Sequence, residues 1–166
     1  MSNRYCFYRN DFVSAVDLDK DFDFFYYKPS IFRMKLHKGI YKRSDFLYIF
    51  WYLFTFGSYR ILYIKLKSTG EIAHFSNIVP SFFKYNFMAS MDLQIAHCYT
   101  YKKYRGLGLY SFALSKIHHT FNDKVIWIGS HYSNIESIKV IEKLGFKKIF
   151  NVTKRTILGI YYKLDE

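Results

Sequence analysis

The twelve residues "YKKYRGLGLYSF" (101–112) set two glycines one residue apart behind three cations, Lys102, Lys103 and Arg105, in a chain with Gly 8 in its composition. Just upstream, "DLQIAHCYT" (92–100) alternates well enough to read as a strand. Downstream, Tyr110, Ala113, Leu114, Ile117 and Phe121 recur at helical spacing along one apolar stripe. A strand therefore runs into Gly106-Leu107-Gly108 and leaves through a helix beginning at about Gly108. Such a turn gathers unpaired backbone N–H groups at the positive end of the helix dipole. That is where phosphate groups bind, and glycine suits the place because a Cβ would hold a ligand off and the turn can need positive φ. An ordinary structural turn is the competing reading. Two known phosphate loops do not fit: the dinucleotide fingerprint needs a further glycine where Ser111 stands, and no Gly-Lys-Ser/Thr follows as in a P-loop.

Outward from this turn the pattern is mixed. "RYCFYRN" suggests a short opening strand, "DKDFDFFYYKPS" a loop or weak strand that stops at Pro29, and residues 31–56 helical stretches, the second starting after Ser44 and ending before Gly57. "YRILYIKLK" and "EIAHFSNIV", separated by "STG", read as a hairpin. "KVIWIG" is short and nearly all apolar, as in a central strand buried on both faces. "NIESIKVIEKLG" is a helix between a capping Asn134 and a Gly145 stop, and "FKKIFNV" with "TILGIYYKL" closes the chain as a last hairpin. Strand, glycine turn, helix, strand, helix, strand describes an α/β domain built around a crossover.

At 166 residues with 51% apolar content the chain is sized for one domain, 1–166, with a real core. Lys+Arg 25 against Asp+Glu 13 leaves a net +12, which favours anionic company such as phosphorylated small molecules, nucleic acid or an acidic membrane. The basic residues are dispersed and no nucleic-acid recognition motif appears, which argues against nucleic acid. Cys6 and Cys98 are too few and too far apart for a disulfide framework or a metal cluster, so no metal is expected and a reducing, cytoplasmic location fits. The N-terminus "MSNRYCFYRNDF" does not read as a signal peptide. "FLYIFWYLFTF" (46–56) is about half the ~20 residues a bilayer span needs and reads first as a buried helix, which leaves peripheral membrane contact open.

"IAHCYTYKKYRGLGLYSFALSKI" resembles the acetyl-CoA-binding segment of the GNAT superfamily of N-acetyltransferases, a strand followed by Arg/Gln-x-x-Gly-x-Gly/Ala and a helix. Here the pattern is Lys103-Tyr104-Arg105-Gly106-Leu107-Gly108, with lysine at its first position. "HYSNIESIKVIEKLGFKKI" is similar to the second signature of the same superfamily, matched by Asn134, Ser137, Leu144, Gly145 and Phe146. The resemblance covers 92–150, the implied cofactor core, and hardly touches 1–60, which it assigns to the acceptor side.

The resemblance implies a mixed, mostly antiparallel sheet splayed in its middle and flanked by helices. The strand beginning at Lys124 would part from "DLQIAHCYT", opening a slot in which thioester and amine meet. The backbone of Cys98, Tyr99 and Thr100 would pair with the pantetheine arm like an added strand, and amides from Arg105 to Leu109 would hold the pyrophosphate. Asn134 would touch the cofactor from the far side. The Cys98 thiol itself reads as a small buried strand residue rather than a nucleophile.

The implied reaction is direct attack of a substrate amine on the thioester, so the protein supplies positioning, an oxyanion donor, a base and an acid. The superfamily's usual acid is a tyrosine four residues after the Ser/Ala, where this chain has Ile141, which leaves Tyr132 and Ser137 as candidates. For the base, Asp92, His97 and His74 are candidates, with His74 and Asp92 preferred, although a strand histidine also serves as a hydrogen-bonded structural residue and Asp92 as a strand cap. Residues 74–110 also look like a subgroup associated with surface-polysaccharide synthesis, which implies an amino-sugar acceptor on a nucleotide or lipid diphosphate. Acetylation of a protein N-terminus or lysine, and an inactive acyl-CoA-binding module, are the alternatives, and the oligomeric state, including a homodimer, stays open.

Overall fold

The computed structural model describes residues 4–37, 44–80, 87–154 and 161–163. In chain order its strands are β1 (Arg4–Arg9), β2 (Phe22–Tyr27), β3 (Arg60–Leu66), β4 (Ile72–Pro80), β5 (Leu93–Thr100), β6 (Ile126–His131), β7 (Lys147–Lys154) and β8 (Tyr161–Lys163). The helices are α1 (Ser44–Phe54), α2 (Leu109–Thr120) and α3 (Ile135–Lys143). All eight strands lie in one sheet in the order β2-β3-β4-β5-β6-β1-β7-β8. The β5–β6 pair is parallel and the other pairs are antiparallel. Parallel neighbours need a crossover of a dozen or more residues, and α2 supplies it.

Packing explains why these segments settle as they do. Ile61, Leu62, Tyr63 and Ile64 of β3 are all fully buried, so both sheet faces are covered there. One face carries Tyr8, Leu62, Ile95, Ile126 and Ile128 against α2 and α3, whose Ala113, Leu114, Ile117 and Ile141 complete the cluster. The other face carries Ile61, Tyr63, Phe75 and Val79 beneath Tyr48 and Trp51 of α1, with a smaller group of Phe7, Met88, Trp127 and Val152. Each such aliphatic or aromatic side chain is worth roughly 1.5–3 kcal/mol when withdrawn from water.

The hairpin, the glycine turn, the capped helix and the closing strand pair stand as the pattern indicates. Two expectations change. "DKDFDFFYYKPS" contains a true strand, β2, because all six of its residues pair with β3 from Ile61 to Leu66, with Asp23 opposite Lys65 and their charges 3.7 Å apart. Residues 31–37 form no helix; Ser30 and Arg33 close a small bridge instead, and residues 38–43 lie outside those described. Most of "TILGIYYKL" also lies outside them.

Two features of the sheet set up the site. β5 and β6 pair only over Leu93–Ile126, Gln94–Trp127 and Ile95–Ile128, after which they part. Beyond that point β6 stays with β1, through Phe7–Gly129, Cys6–Ser130 and Tyr5–His131, while β5 stays with β4. In the β4–β5 ladder Phe75 faces Tyr99 but Asn77 faces Ala96, so His97 and Cys98 together oppose Ser76 in a β-bulge. His97 has φ +48°, uncommon for a residue with a Cβ.

The end of α3 shows how tightly the frame is set. Gly145 has φ +100°, and a Cβ there would run into the carbonyl oxygen of Phe12, which the N-terminal segment lays against the helix through the Ser14 amide on the Leu144 carbonyl, 2.9 Å. Gly145→Ala is expected to cost more than about 1 kcal/mol of unfolding free energy, because it combines left-handed strain with a backbone clash. A lowered urea midpoint at unchanged slope checks this.

Candidate functional site between the parted strands

The parting of β5 and β6 opens a cavity of about 820 Å³. Its walls are Cys98, Tyr99 and Thr100 of β5, the turn residues Arg105, Gly106 and Gly108, Tyr110 on the first turn of α2, Ser130 and His131 of β6, and Asn134 and Ser137 at the start of α3. The volume falls within the few hundred to about 1,000 Å³ range of small-molecule sites.

The glycine turn forms one end. Gly106 and Gly108 have φ +82° and +71°, and a Cβ added at either would meet nothing within 4 Å, so both keep the surface low beside open space. Gly108 is the N-cap of α2 and has no side chain with which to cap it. The first-turn N–H groups therefore face the cavity end with the positive pole of the helix behind them. Lys102, Lys103 and Arg105 bring charge to this corner, but not equally. Lys103 Nζ is 2.5 Å from Glu71 Oε2, which Tyr104 Oη also reaches at 3.0 Å, so Lys103 is spent on that carboxylate and does not line the cavity. Arg105 lines it, its Nε donating to the Thr100 carbonyl at 3.3 Å. Across the gap Asn134 caps α3 by accepting from the Ser137 amide at 3.3 Å. Leu107 points away and is half exposed.

The residues considered for acid–base work separate clearly. His74 lines the cavity but is wholly buried, with Nδ1 2.7 Å from Thr100 Oγ1 and Nε2 2.8 Å from Ser76 Oγ. Burial pulls its pKa down to about 3, so it is neutral at working pH and both ring nitrogens are occupied. Asp92 lies at the closed end of the β5–β6 pair, where its Oδ2 accepts from Trp127 Nε1 at 2.7 Å and the Ala89 amide at 2.9 Å. It does not line the cavity, and its position holds the paired end of the strands together. Tyr132 is about half exposed and borders a separate groove with Arg4 and Lys148. His97 lies at the mouth: the bulge lifts it from the ladder, its ring is exposed, and Trp51 of α1 packs edge-on against it at 5.4 Å. Burial raises the Cys98 thiol to about 12, against a lowering hydrogen bond from Ser76, which makes it a poor nucleophile.

Two polar groups in the cavity escaped the sequence reading. Tyr110, counted there as part of an apolar stripe, hydrogen-bonds through its hydroxyl to Ser137 Oγ at 2.9 Å, joining α2 to α3, and burial raises its pKa. The detectable signal was its place on the first turn of a helix whose N-terminus ends at a glycine pair. Ser130 is 5% exposed and its hydroxyl has no hydrogen-bond partner among the described residues, a cost that a bound polar group would relieve. Among the described residues no group of three or more His, Cys, Asp or Glu could hold a metal ion. No helix among them is long and apolar enough to cross a membrane.

The same architecture occurs in solved structures. A GNAT-family protein of Novosphingobium aromaticivorans matches over 91% of this chain and 62% of its own, with a TM-score of 0.57 and 16% identity. A GCN5-related N-acetyltransferase-like protein of Streptococcus suis matches over 90% and 61%, with a TM-score of 0.58 and 16% identity. A GCN5-related N-acetyltransferase of Sphaerobacter thermophilus matches over 90% and 50%, with a TM-score of 0.59 and 9% identity. The chain thus has the GNAT fold, a mixed and mostly antiparallel sheet with one parallel pair, and spans about half to three fifths of the length of these structures. No protein-family model matches the sequence, and no curated protein does.

The buried imidazole makes a testable statement. His74 has a folded-state pKa lowered from 6.5 to about 3, so its contribution to stability is full above 6.5 and is lost as pH falls toward 3. Its ring resonances are expected to stay unchanged from pH 8 to about pH 5, within the range where an ordinary histidine titrates. An NMR titration checks this, and a midpoint near neutrality would show the ring to be solvated.

Proposed function

We propose that this protein is an acetyl-CoA-dependent N-acetyltransferase acting on a primary amine. One observation carries the reading: the cavity of about 820 Å³ between the parted strands is closed at one end by an uncapped helix N-terminus behind two positive-φ glycines. The free edge of β5 at Cys98, Tyr99 and Thr100 suits a pantetheine arm, which carries its own amide groups and can add as a strand does. The amides from Arg105 to Leu109 suit the pyrophosphate, with Arg105 as the adjacent charge and Asn134 and Ser137 on the opposite wall. Acetyl-CoA supplies an activated acyl group with a thiolate as its leaving group. This chain would supply positioning, an oxyanion donor and the acid–base groups.

Of the candidate bases, His97 is the one at the open mouth, and imidazole is suited to accepting an ammonium proton near neutrality. His74 and Asp92 are both committed to internal hydrogen bonds. The bulge at His97 and Cys98 leaves one residue out of the ladder, the place from which an amide can polarise a carbonyl. Ile141 is fully buried in the core, and the Tyr110 hydroxyl, held by Ser137, is the donor available to the departing sulfur.

For the acceptor we favour an amino sugar linked to a nucleotide or lipid diphosphate, supported by the net charge of +12 and the resemblance of residues 74–110 to polysaccharide-linked sequences. Incubation with acetyl-CoA and parallel panels of amino-sugar nucleotides and peptides, read by release of free thiol, tests it; response to peptides alone would move the assignment to protein acetylation. Cofactor binding with no turnover on any amine would identify a binding module.

Two substitutions probe the machinery. Gly108→Glu sends a carboxylate into the proposed diphosphate position, so calorimetry is expected to show loss of acetyl-CoA binding while circular dichroism shows the fold retained. His97→Gln should lower kcat/KM by about 10²–10⁴-fold with cofactor affinity unchanged, and the residual rate should rise with pH as the amine deprotonates unaided.

A further inference from the structure

A buried chain of polar groups runs beneath α1 and ends on the carbonyl of His97. We infer that Asn77 is a positioning residue, which α1 uses through Tyr48 to hold His97 in its left-handed bulge conformation; the catalytic consequence rests on the acetyl-transfer reading above. Asn77 is wholly buried in β4, and its Nδ2 donates to the His97 carbonyl at 3.1 Å. Its Oδ1 accepts from Tyr48 Oη at 3.1 Å. Tyr48 Oη lies 3.2 Å from His37 Nε2, His37 Nδ1 lies 2.8 Å from Tyr63 Oη, and the Leu36 amide donates to Tyr63 Oη at 2.8 Å.

The bond directions follow from the end at His97. A carbonyl oxygen can only accept, so Asn77 gives the His97 carbonyl its amide nitrogen and keeps its oxygen for Tyr48. The Tyr48 proton then goes to Asn77, and Tyr48 offers His37 only lone pairs. His37 must carry its proton on Nε2, which leaves Nδ1 as the acceptor for the Tyr63 hydroxyl. At the far end the Leu36 amide can only donate, and the Tyr63 oxygen accepts it. The Leu36 end is compatible with this orientation, since the Tyr63 oxygen can accept that amide while its proton goes to His37, whose ring stacks on Phe75 at 3.7 Å and 8°.

This arrangement answers a local problem. A residue with a Cβ at φ +48° is strained, and such strain persists only where the surroundings over-determine it. Here the His97 carbonyl is tied by Asn77 while its ring is packed by Trp51. Tyr48 and Trp51 are three residues apart and share one face of α1, so the helix fixes both the backbone and the side chain of His97. An imidazole so fixed is held in place at the cavity that His97 lines.

The test uses the full chain and the variant Tyr48→Phe, which removes one hydroxyl and keeps the ring in its aromatic cluster. In the folded variant without cofactor, the His97 Cε1–H resonance is expected to shift and broaden. With acetyl-CoA and an accepted amine, kcat is expected to fall about five- to thirty-fold, with KM for acetyl-CoA within about twofold. An unmoved His97 resonance together with unchanged kcat per folded enzyme overturns the inference. A moved resonance in a protein that acetylates no amine supports the positioning role and removes the transferase reading instead. If Tyr48→Phe does not fold, the nitrogen-15 spectrum of His37 in the unmodified protein decides: an Nε2-protonated ring is expected, and an Nδ1-protonated ring overturns the inference.

Discussion

The site depends on two parallel strands that stop pairing. β5 and β6 share three residue pairs and then follow different neighbours, β5 held by β4 and β6 by β1. Inside a sheet an unpaired edge is costly, because each bare N–H or C=O group removed from water must find a partner. The parted edges therefore need either solvent or a ligand with its own amides. Asp92 and Trp127 close the paired end, and this makes the parting abrupt. The resulting cavity has hydrogen-bonding edges on two sides and a helix N-terminus at one end.

A bulge then converts the slot into a place with chemical direction. The extra residue in β5 turns His97 outward to the mouth while leaving Cys98 packed toward the inner cluster. Burial works on the neighbouring groups in the opposite sense: it depresses His74 and raises Cys98, so neither carries charge at working pH. His97, by contrast, is the histidine that the bulge exposes. The two sheet faces are covered differently, with α2 and α3 packed on one and α1 on the other, where Trp51 meets His97.

Much of the frame could be read from local pattern. The β3–β4 hairpin, the glycine turn, the Asn134 cap and the all-apolar β6 are local properties, set by period, turn chemistry and capping within a few residues. β2 is easily underrated because Asp23 interrupts its apolar run just after Asp19 and Asp21, and only the long pairing with β3 offsets this. The site was partly legible for the same reason. Backbone donors belong to a turn and a helix start, which are local, whereas acid–base partners belong to contacts. Asp92 was placed near the reaction because it is adjacent in sequence to the cofactor strand, yet strand order does not say which end of a parallel pair opens. Tyr110 was hidden in a helical stripe, since a tyrosine at a core period looks the same whether its hydroxyl meets solvent, a carbonyl or Ser137.

By itself, then, the sequence determined most of the elements and the bare backbone donors of the turn, because periodicity, glycine backbone freedom and helix ends act over a few residues. Only the tertiary structure decided that β1 enters between β6 and β7, that β5 and β6 separate after Ile95 and Ile128, and that His97 rather than His74 reaches the opening. Those outcomes turn on burial and on long-range pairing, and burial is a property of a residue's neighbours, which the order of residues along a chain does not contain.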